Sequence, residues 1–206
     1  MVGSSSSLAS VFASTQFGAP TGTLTLGAPV NVPGSLSLLA DTSLPVNQSV
    51  TAGGALVLAG GTMLNVTAPV SAADALLAGT TVSVNGTSVG ATNDLIVAGG
   101  TVSIINGSTL TGTNIGLGGG TVNVTGAGST AVAANLMSVG ATNLNVTAGG
   151  LVQGTDVDMT IGTLITLDTG GQIVATSAAS IDILFPTLTS GGFMVNTVAG
   201  VVDPLD

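Results

Sequence analysis

An apolar–polar–apolar triplet returns about every 20 residues along this chain, and that period restricts the fold more than any other feature. The triplet reads Leu24-Thr25-Leu26, Leu44-Pro45-Val46, Leu64-Asn65-Val66, Val82-Ser83-Val84, Val102-Ser103-Ile104, Val122-Asn123-Val124, Leu144-Asn145-Val146 and Ile165-Thr166-Leu167. Its first members are 20, 20, 18, 20, 20, 22 and 21 residues apart. A fixed period of this size marks a solenoid, in which each repeat is one supersecondary unit that buries its apolar face only against its neighbours. Such a chain offers extended surface rather than a pocket.

Two further apolar columns accompany the triplet, which predicts three short strands per coil. One contains Val70, Val89, Leu110, Val132, Val152 and Val174. The other contains Leu36/Leu38, Leu56/Leu58, Leu76, Leu95/Val97, Ile115/Leu117, Leu136, Met159/Ile161 and Ile181/Ile183. Alternation of period two turns these side chains inward and their neighbours outward. Val, Ile and Thr split by Gly and Asn favour short strands and tight turns. A helical repeat is the rival reading. Gly53-Gly54, Gly60-Gly61, Gly99-Gly100, Gly118-Gly119-Gly120 and Gly149-Gly150 argue against it, because each interior helix Gly costs about 1 kcal/mol relative to Ala. The expected fold is therefore all-β, a single-stranded parallel β-solenoid (β-helix) of about eight coils.

The triplet is clean only between residues 21 and 190. Residues 1–20 are expected to form an N-terminal arm or cap, and residues 191–206 a C-terminal cap or continuation. The four phenylalanines, Phe12, Phe17, Phe185 and Phe193, all lie in or beside these flanks. A solenoid end exposes unpaired strand edges and an apolar cross-section, so bulky side chains there would plug it or join one subunit to the next. The start, Met1-Val2-Gly3-Ser4, has neither a basic nor a hydrophobic leader region, which predicts a removed leader or a piece of a longer polypeptide.

Composition removes whole classes of function. The chain has no Lys, Arg or His, and formal net charge is −9. With no cation to release counterions from phosphates, nucleic acid is an excluded partner, and anionic lipid heads are excluded by the same argument. The usual nitrogen and sulfur metal ligands are missing, so no cofactor is expected beyond a calcium ion held by oxygen. Mean hydropathy is positive, yet no apolar run approaches the ~20 residues of a spanning helix. A transmembrane barrel would carry aromatic girdles that four phenylalanines cannot supply. No membrane insertion is expected.

Three constellations remain. Asp74, Asp94, Asn114 and Asn135 fall in one column at steps of 20, 20 and 21. Stacked amides predict a hydrogen-bonded ladder at Asn114 and Asn135. Two neighbouring carboxylates at Asp74 and Asp94 are either solvated or bridged by calcium, although the Gly-Gly-x-Gly-x-Asp calcium repeat is absent. Asp156 and Asp158, at i and i+2, share a strand face as a glycosidase pair would, but no basic or phenolic group stands by to tune them. Surface acids are the preferred reading, and the chain is read as a non-enzyme. Asn-x-Ser/Thr sequons begin at Asn47, Asn65, Asn85, Asn106, Asn123 and Asn145; those at Asn65, Asn123 and Asn145 should point outward and would accept glycan in a glycosylating pathway. The outward centre of the triplet is not a regular Thr-x-Thr face, so an ice-binding array ranks last.

Segments such as Gly120-Thr121-Val122-Asn123-Val124-Thr125-Gly126 and Asn145-Val146-Thr147-Ala148-Gly149-Gly150 resemble repeats of filamentous-haemagglutinin-like exoproteins and autotransporter passengers of the two-partner-secretion type. The resemblance covers about residues 21–190 and is one of repeat style. It implies a right-handed parallel β-helix, exported from a Gram-negative bacterium to the cell surface or beyond and used in adhesion and biofilms. It also implies host-surface or matrix polysaccharide as a partner. Two functions follow: a rigid adhesin stalk or display module, or a subunit stacking head to tail into an extracellular filament.

Overall fold

The computed structural model describes residues 22–168 and 170–177 throughout. Beyond them it describes the backbone of strands Ser5–Ser6, Thr15–Ala19, Ile181–Leu184, Leu188–Ser190, Val195–Thr197 and Val202–Pro204. The chain is a β-solenoid. Every strand pairing is parallel, and each strand pairs with its counterpart one coil away, as in Val82↔Val102↔Val122↔Leu144↔Ile165. No helix occurs among the described residues.

Three strands per coil, as expected, occur at Leu36–Ala40, Ser43–Val46 and Val50–Ala52 and again at Ile181–Leu184, Leu188–Ser190 and Val195–Thr197; in the coils between them the first two strands are fused into one. From Ala55–Val66 to Asp156–Leu167, each coil contains one 12-residue strand, repeated as Asp74–Asn85, Asp94–Ile105, Asn114–Thr125, Leu136–Thr147 and Asp156–Leu167. In Asp74–Asn85, Asp94–Ile105, Asn114–Thr125 and Leu136–Thr147 the in–out alternation slips by one at a corner, as where Ala75 and Leu77 are buried before it and Val82 and Val84 after it. Ala55–Val66 and Asp156–Leu167 pass the corner by an even step, from Leu58 to Leu64 and from Ile161 to Ile165. The pairing register breaks at the same place, between Gly79 and Thr81. The chain therefore turns a corner without leaving the sheet. A short strand completes each coil on a second sheet, as in Val70–Ala72, Ser88–Ala91, Thr109–Gly112, Thr130–Ala133, Leu151–Gly154 and Gln172–Ala175.

Among the described residues the interior is aliphatic, apart from the buried hydroxyls of Ser108 and Ser129 at two corners. Both apolar members of all eight triplets are buried, from Leu24 and Leu26 to Ile165 and Leu167. Burying a Val, Leu or Ile side chain contributes roughly 1.5–3 kcal/mol, so this column is the main source of stability. The other two columns need correcting at four positions. Leu76 and Leu136 point outward, with Leu77 and Met137 inside; Val132 and Val174 point outward, with Ala131 and Ile173 inside. Val132 follows from corner length: the last buried residue of the triplet and the first of the short strand are Val66 and Val70 in one coil but Val124 and Ala131 in another. Ile173, by contrast, keeps the step of Ile104 to Leu110 and Val146 to Val152 and leaves its neighbour Val174 outside.

Parallel pairing continues on both sides of the triplet block. Thr15–Ala19 pairs with Leu36–Ala40, Val195–Thr197 with Ile173–Ala175, and Val202–Pro204 with Ile181–Ile183. The ladder thus runs further than the triplet does. Phe12, Phe185 and Phe193 lie outside the described residues; of Phe17 only its backbone pairing with Leu38 is described.

Candidate functional site

Because the inside is filled, chemistry can reside only on the outward positions, where like residues stack coil upon coil. At the entrance to the long strands stand Asp74, Asp94, Asn114, Asn135 and Asp156. Asn114 Nδ2 donates to Asp94 Oδ1 (2.8 Å), and Asn135 Nδ2 donates to Asn114 Oδ1 (3.1 Å). The Asp94 backbone N–H donates to Asp74 Oδ1 (3.4 Å), and Ser177 Oγ donates to Asp156 Oδ1 (3.0 Å). Asp74, Asp94, Asn114 and Asn135 thus form one run along the axis, and Asp156 begins a separate pair with Ser177. Asp74 and Asp94 are adjacent in it, and among the described residues no third acidic side chain joins them.

A second run follows the centre of the triplet. Asn145 Nδ2 donates to Asn123 Oδ1 (2.8 Å), and Asn123 Nδ2 donates to Ser103 Oγ (3.3 Å). Asn65 lies in the same row, opposite Ser83 and Pro45. All three of these sequon residues are half-buried outward residues, and two have their amide nitrogen engaged with the next coil. Asn47 is exposed after the strand Ser43–Val46. Asn85 and Asn106 form a third pair, with Asn106 Nδ2 donating to Asn85 Oδ1 (2.8 Å).

Sequence reasoning missed two buried hydroxyls that organise the corner below. Ser108 and Ser129 are fully buried. The Ser108 hydroxyl donates to the Ile105 carbonyl (2.6 Å), with the Val84 carbonyl 2.9 Å away, and accepts from Thr87 N–H (3.4 Å). The Ser129 hydroxyl donates to the Thr125 carbonyl (2.7 Å) and accepts from Gly107 N–H (3.1 Å). Each side chain thus ties its own turn to the turn of a neighbouring coil. The signal was present in the turn sequences Asn106-Gly107-Ser108 and Gly126-Ala127-Gly128-Ser129, where Asn106 and the glycines adopt positive φ. Among the described residues no buried polar side-chain atom lacks a partner.

The other missed feature is apolar. Three large apolar side chains among the described residues are exposed: Ile96 (48%), Met63 (41%) and Leu136 (37%). Ile96 stands in an outward row with Val57 and Leu76, one per coil. In four coils the inward residue lies five before the triplet, as Leu77, Val97, Leu117 and Val139 lie before Val82, Val102, Val122 and Leu144, which leaves Leu76 and Ile96 facing out. The step is six at Leu38 and Leu58, so it marks them only once the corner is known.

Asp156 and Asp158 project from the same strand, half-buried and exposed respectively. They line an open face, and Asp158 stands opposite Ser138 on one side and Asp182 on the other. No family model, curated protein or solved structure matches the chain.

Proposed function

We propose that the chain is a non-enzymatic extracellular structural and adhesive solenoid, a rigid stalk or surface-display module of an adhesin or biofilm exoprotein. The observation that carries this reading is the combination of a continuous aliphatic interior with outward polar groups that satisfy one another along the axis. Such side chains are spent on stiffness and surface, and none converges on a reacting atom. The repeat style resembling filamentous-haemagglutinin-like exoproteins supports secretion by a Gram-negative bacterium. The lack of Lys and Arg, which denies trypsin-like proteases a cleavage site, suits life outside the cell.

A second reading is a filament subunit that stacks head to tail. It is supported by strand pairing that persists through Val202–Pro204, in the parallel register of the coils before it. Electron microscopy of purified protein separates the two. Discrete rods on the order of 40 Å long, from about eight coils at the ~4.8 Å strand spacing, are expected for the stalk. Long filaments with an axial repeat of one subunit would replace it with the second reading. Polysaccharide cleavage that disappears in an Asp156→Asn, Asp158→Asn double variant would overturn the non-enzymatic assignment.

A further inference from the structure

We propose that the outward face built on Val57, Leu76 and Ile96 is a docking surface for a cationic, amphipathic polypeptide segment, one presenting Lys or Arg beside aliphatic side chains. The inference rests on the reading of the chain as a display surface and names the partner that surface takes.

The face has three rows, set by the two-residue period of a strand. Its ridge is Val57, Leu76 and Ile96, in register on successive coils. The next residue in that row is Gly116, whose missing side chain opens a notch beside Ile96; a Cβ there would lie 3.8 Å from Ile96 Cγ1. Shallow depressions flank the ridge. One of about 280 Å³ is lined by Ile96, Gly116 and Leu136, and one of about 240 Å³ by Val57, Leu76 and Asp74. Two residues further along the strands, Ala59, Ala78 and Ala98 form a low floor that leaves the approach open.

The third row decides the occupant. Two residues before Leu76 and Ile96 stand Asp74 and Asp94, at the rim of the same depressions. Ile96 is exposed, with Leu76 and Val57 half-buried beside it, and an apolar patch with a polar rim marks an interaction site. Here the rim is anionic, and the whole sequence contains no Lys, Arg or His to neutralise it. Any countercharge from protein therefore comes from another molecule. A second copy of the chain brings none, and would set its own carboxylates against these. A segment with an aliphatic face and adjacent ammonium or guanidinium groups satisfies ridge and rim together. Complementarity of this kind sets specificity and encounter rate, while the apolar anchors set residence time.

The test uses the full chain and short dye-labelled peptides, measured by fluorescence anisotropy. A peptide alternating Leu and Lys should bind at least about tenfold more tightly than one of equal charge alternating Ser and Lys. The double variants Leu76→Ser, Ile96→Ser and Asp74→Asn, Asp94→Asn should each weaken it about tenfold, and Val132→Ser, outward on the other sheet, should not. Equal affinity for the two peptides would reduce the effect to net charge and overturn the proposal. So would a Leu–Lys affinity untouched by both double variants. Because the chain has no Cys, Gly116→Cys can carry a single polarity-sensitive dye at the notch. Its emission should shift to the blue on peptide binding, whereas a dye on Asn145→Cys should not respond; the reverse pattern would place the peptide elsewhere. Discrete rods in the microscope that bind no Leu–Lys peptide would remove the docking surface and leave the stalk standing.

Discussion

Asp94 shows how one side chain serves two masters. Its carboxylate accepts the Asn114 amide, while its own backbone N–H reaches Asp74, one coil below. Two like charges at strand spacing repel, and nothing cationic in the sequence relieves them. Asp94→Asn keeps an oxygen for Asn114 and gains an N–H that can donate to Asp74. It should therefore raise stability by about 0.5 kcal/mol, read as a higher midpoint in urea at an unchanged slope. A lower midpoint would mean that the ladder needs the charge. Inside, the sign is different. Val122 is fully buried between Val102 and Leu144, so Val122→Asp places an unpaired charge in an aliphatic column. The cost should exceed about 4 kcal/mol and abolish folding. A soluble variant with unchanged β-sheet circular dichroism would contradict that packing. What could be read at this scale was the triplet, because strict alternation fixes which side each residue takes. The sequence was ambiguous where two large apolar residues are adjacent, as at Leu76-Leu77 and Leu136-Met137. Either could be inward by composition, and only the corner's phase slip decides.

At the scale of the coil, the corners decide what the strands can do. Gly119 sits at the bend of Asn114–Thr125, and a Cβ there would press into the Gly99 carbonyl oxygen of the coil below. That atom is backbone and is held by the ladder, so it cannot yield. Gly140, in the strand Leu136–Thr147, has open space where its Cβ would go. Gly119→Ala should cost about 1–3 kcal/mol, whereas Gly140→Ala should stay within about 0.5 kcal/mol of the parent. Equal midpoints for the two variants would show that the corner tolerates crowding. Paired glycines at these positions signalled turns in the sequence, but they did not reveal that the strand continues through the bend. Pairing in the sheet persists on both sides of Gly79 and Thr81, and this joins two expected strands into one. The corner before the short strand was illegible for another reason. Its length changes from coil to coil, and its extra residues at Asn106-Gly107 and at Gly126-Ala127-Gly128 are absorbed by turns that Ser108 and Ser129 fasten. No fixed step from the triplet can anticipate that, so the expectation at Val132 fails there; at Val174 the step is unchanged, and the ambiguity is again that of two adjacent apolar residues, Ile173-Val174.

For the whole molecule, the consequence of stacking is that stability is nearly a sum of coils and of the interfaces between them. Each long strand contacts the one before and the one after, and the pairing is in register over almost its full length. Leu95 pairs with Ile115, so the chain can pass from Asp94 directly to Ile115 without losing phase. Deleting residues 95–114 removes one coil and brings Ile115 into the place Leu95 held above Ala75. The ladder survives in shortened form: Asn135 then stacks next to Asp94. The outward ridge loses Ile96 and keeps Leu76 and Val57, so the deletion should weaken Leu–Lys peptide binding, though less than the Leu76→Ser, Ile96→Ser double variant. The shortened chain should fold, retain its β-sheet spectrum and unfold cooperatively. It should give rods shorter by about one strand spacing of ~4.8 Å, with a reduced urea slope because less surface is exposed on unfolding. A globular domain of ordinary topology that lost 20 core residues would not fold. Collapse of the deletion variant would therefore mean that the coils are not equivalent units, and that particular contacts around Leu95–Asn114 hold the solenoid together.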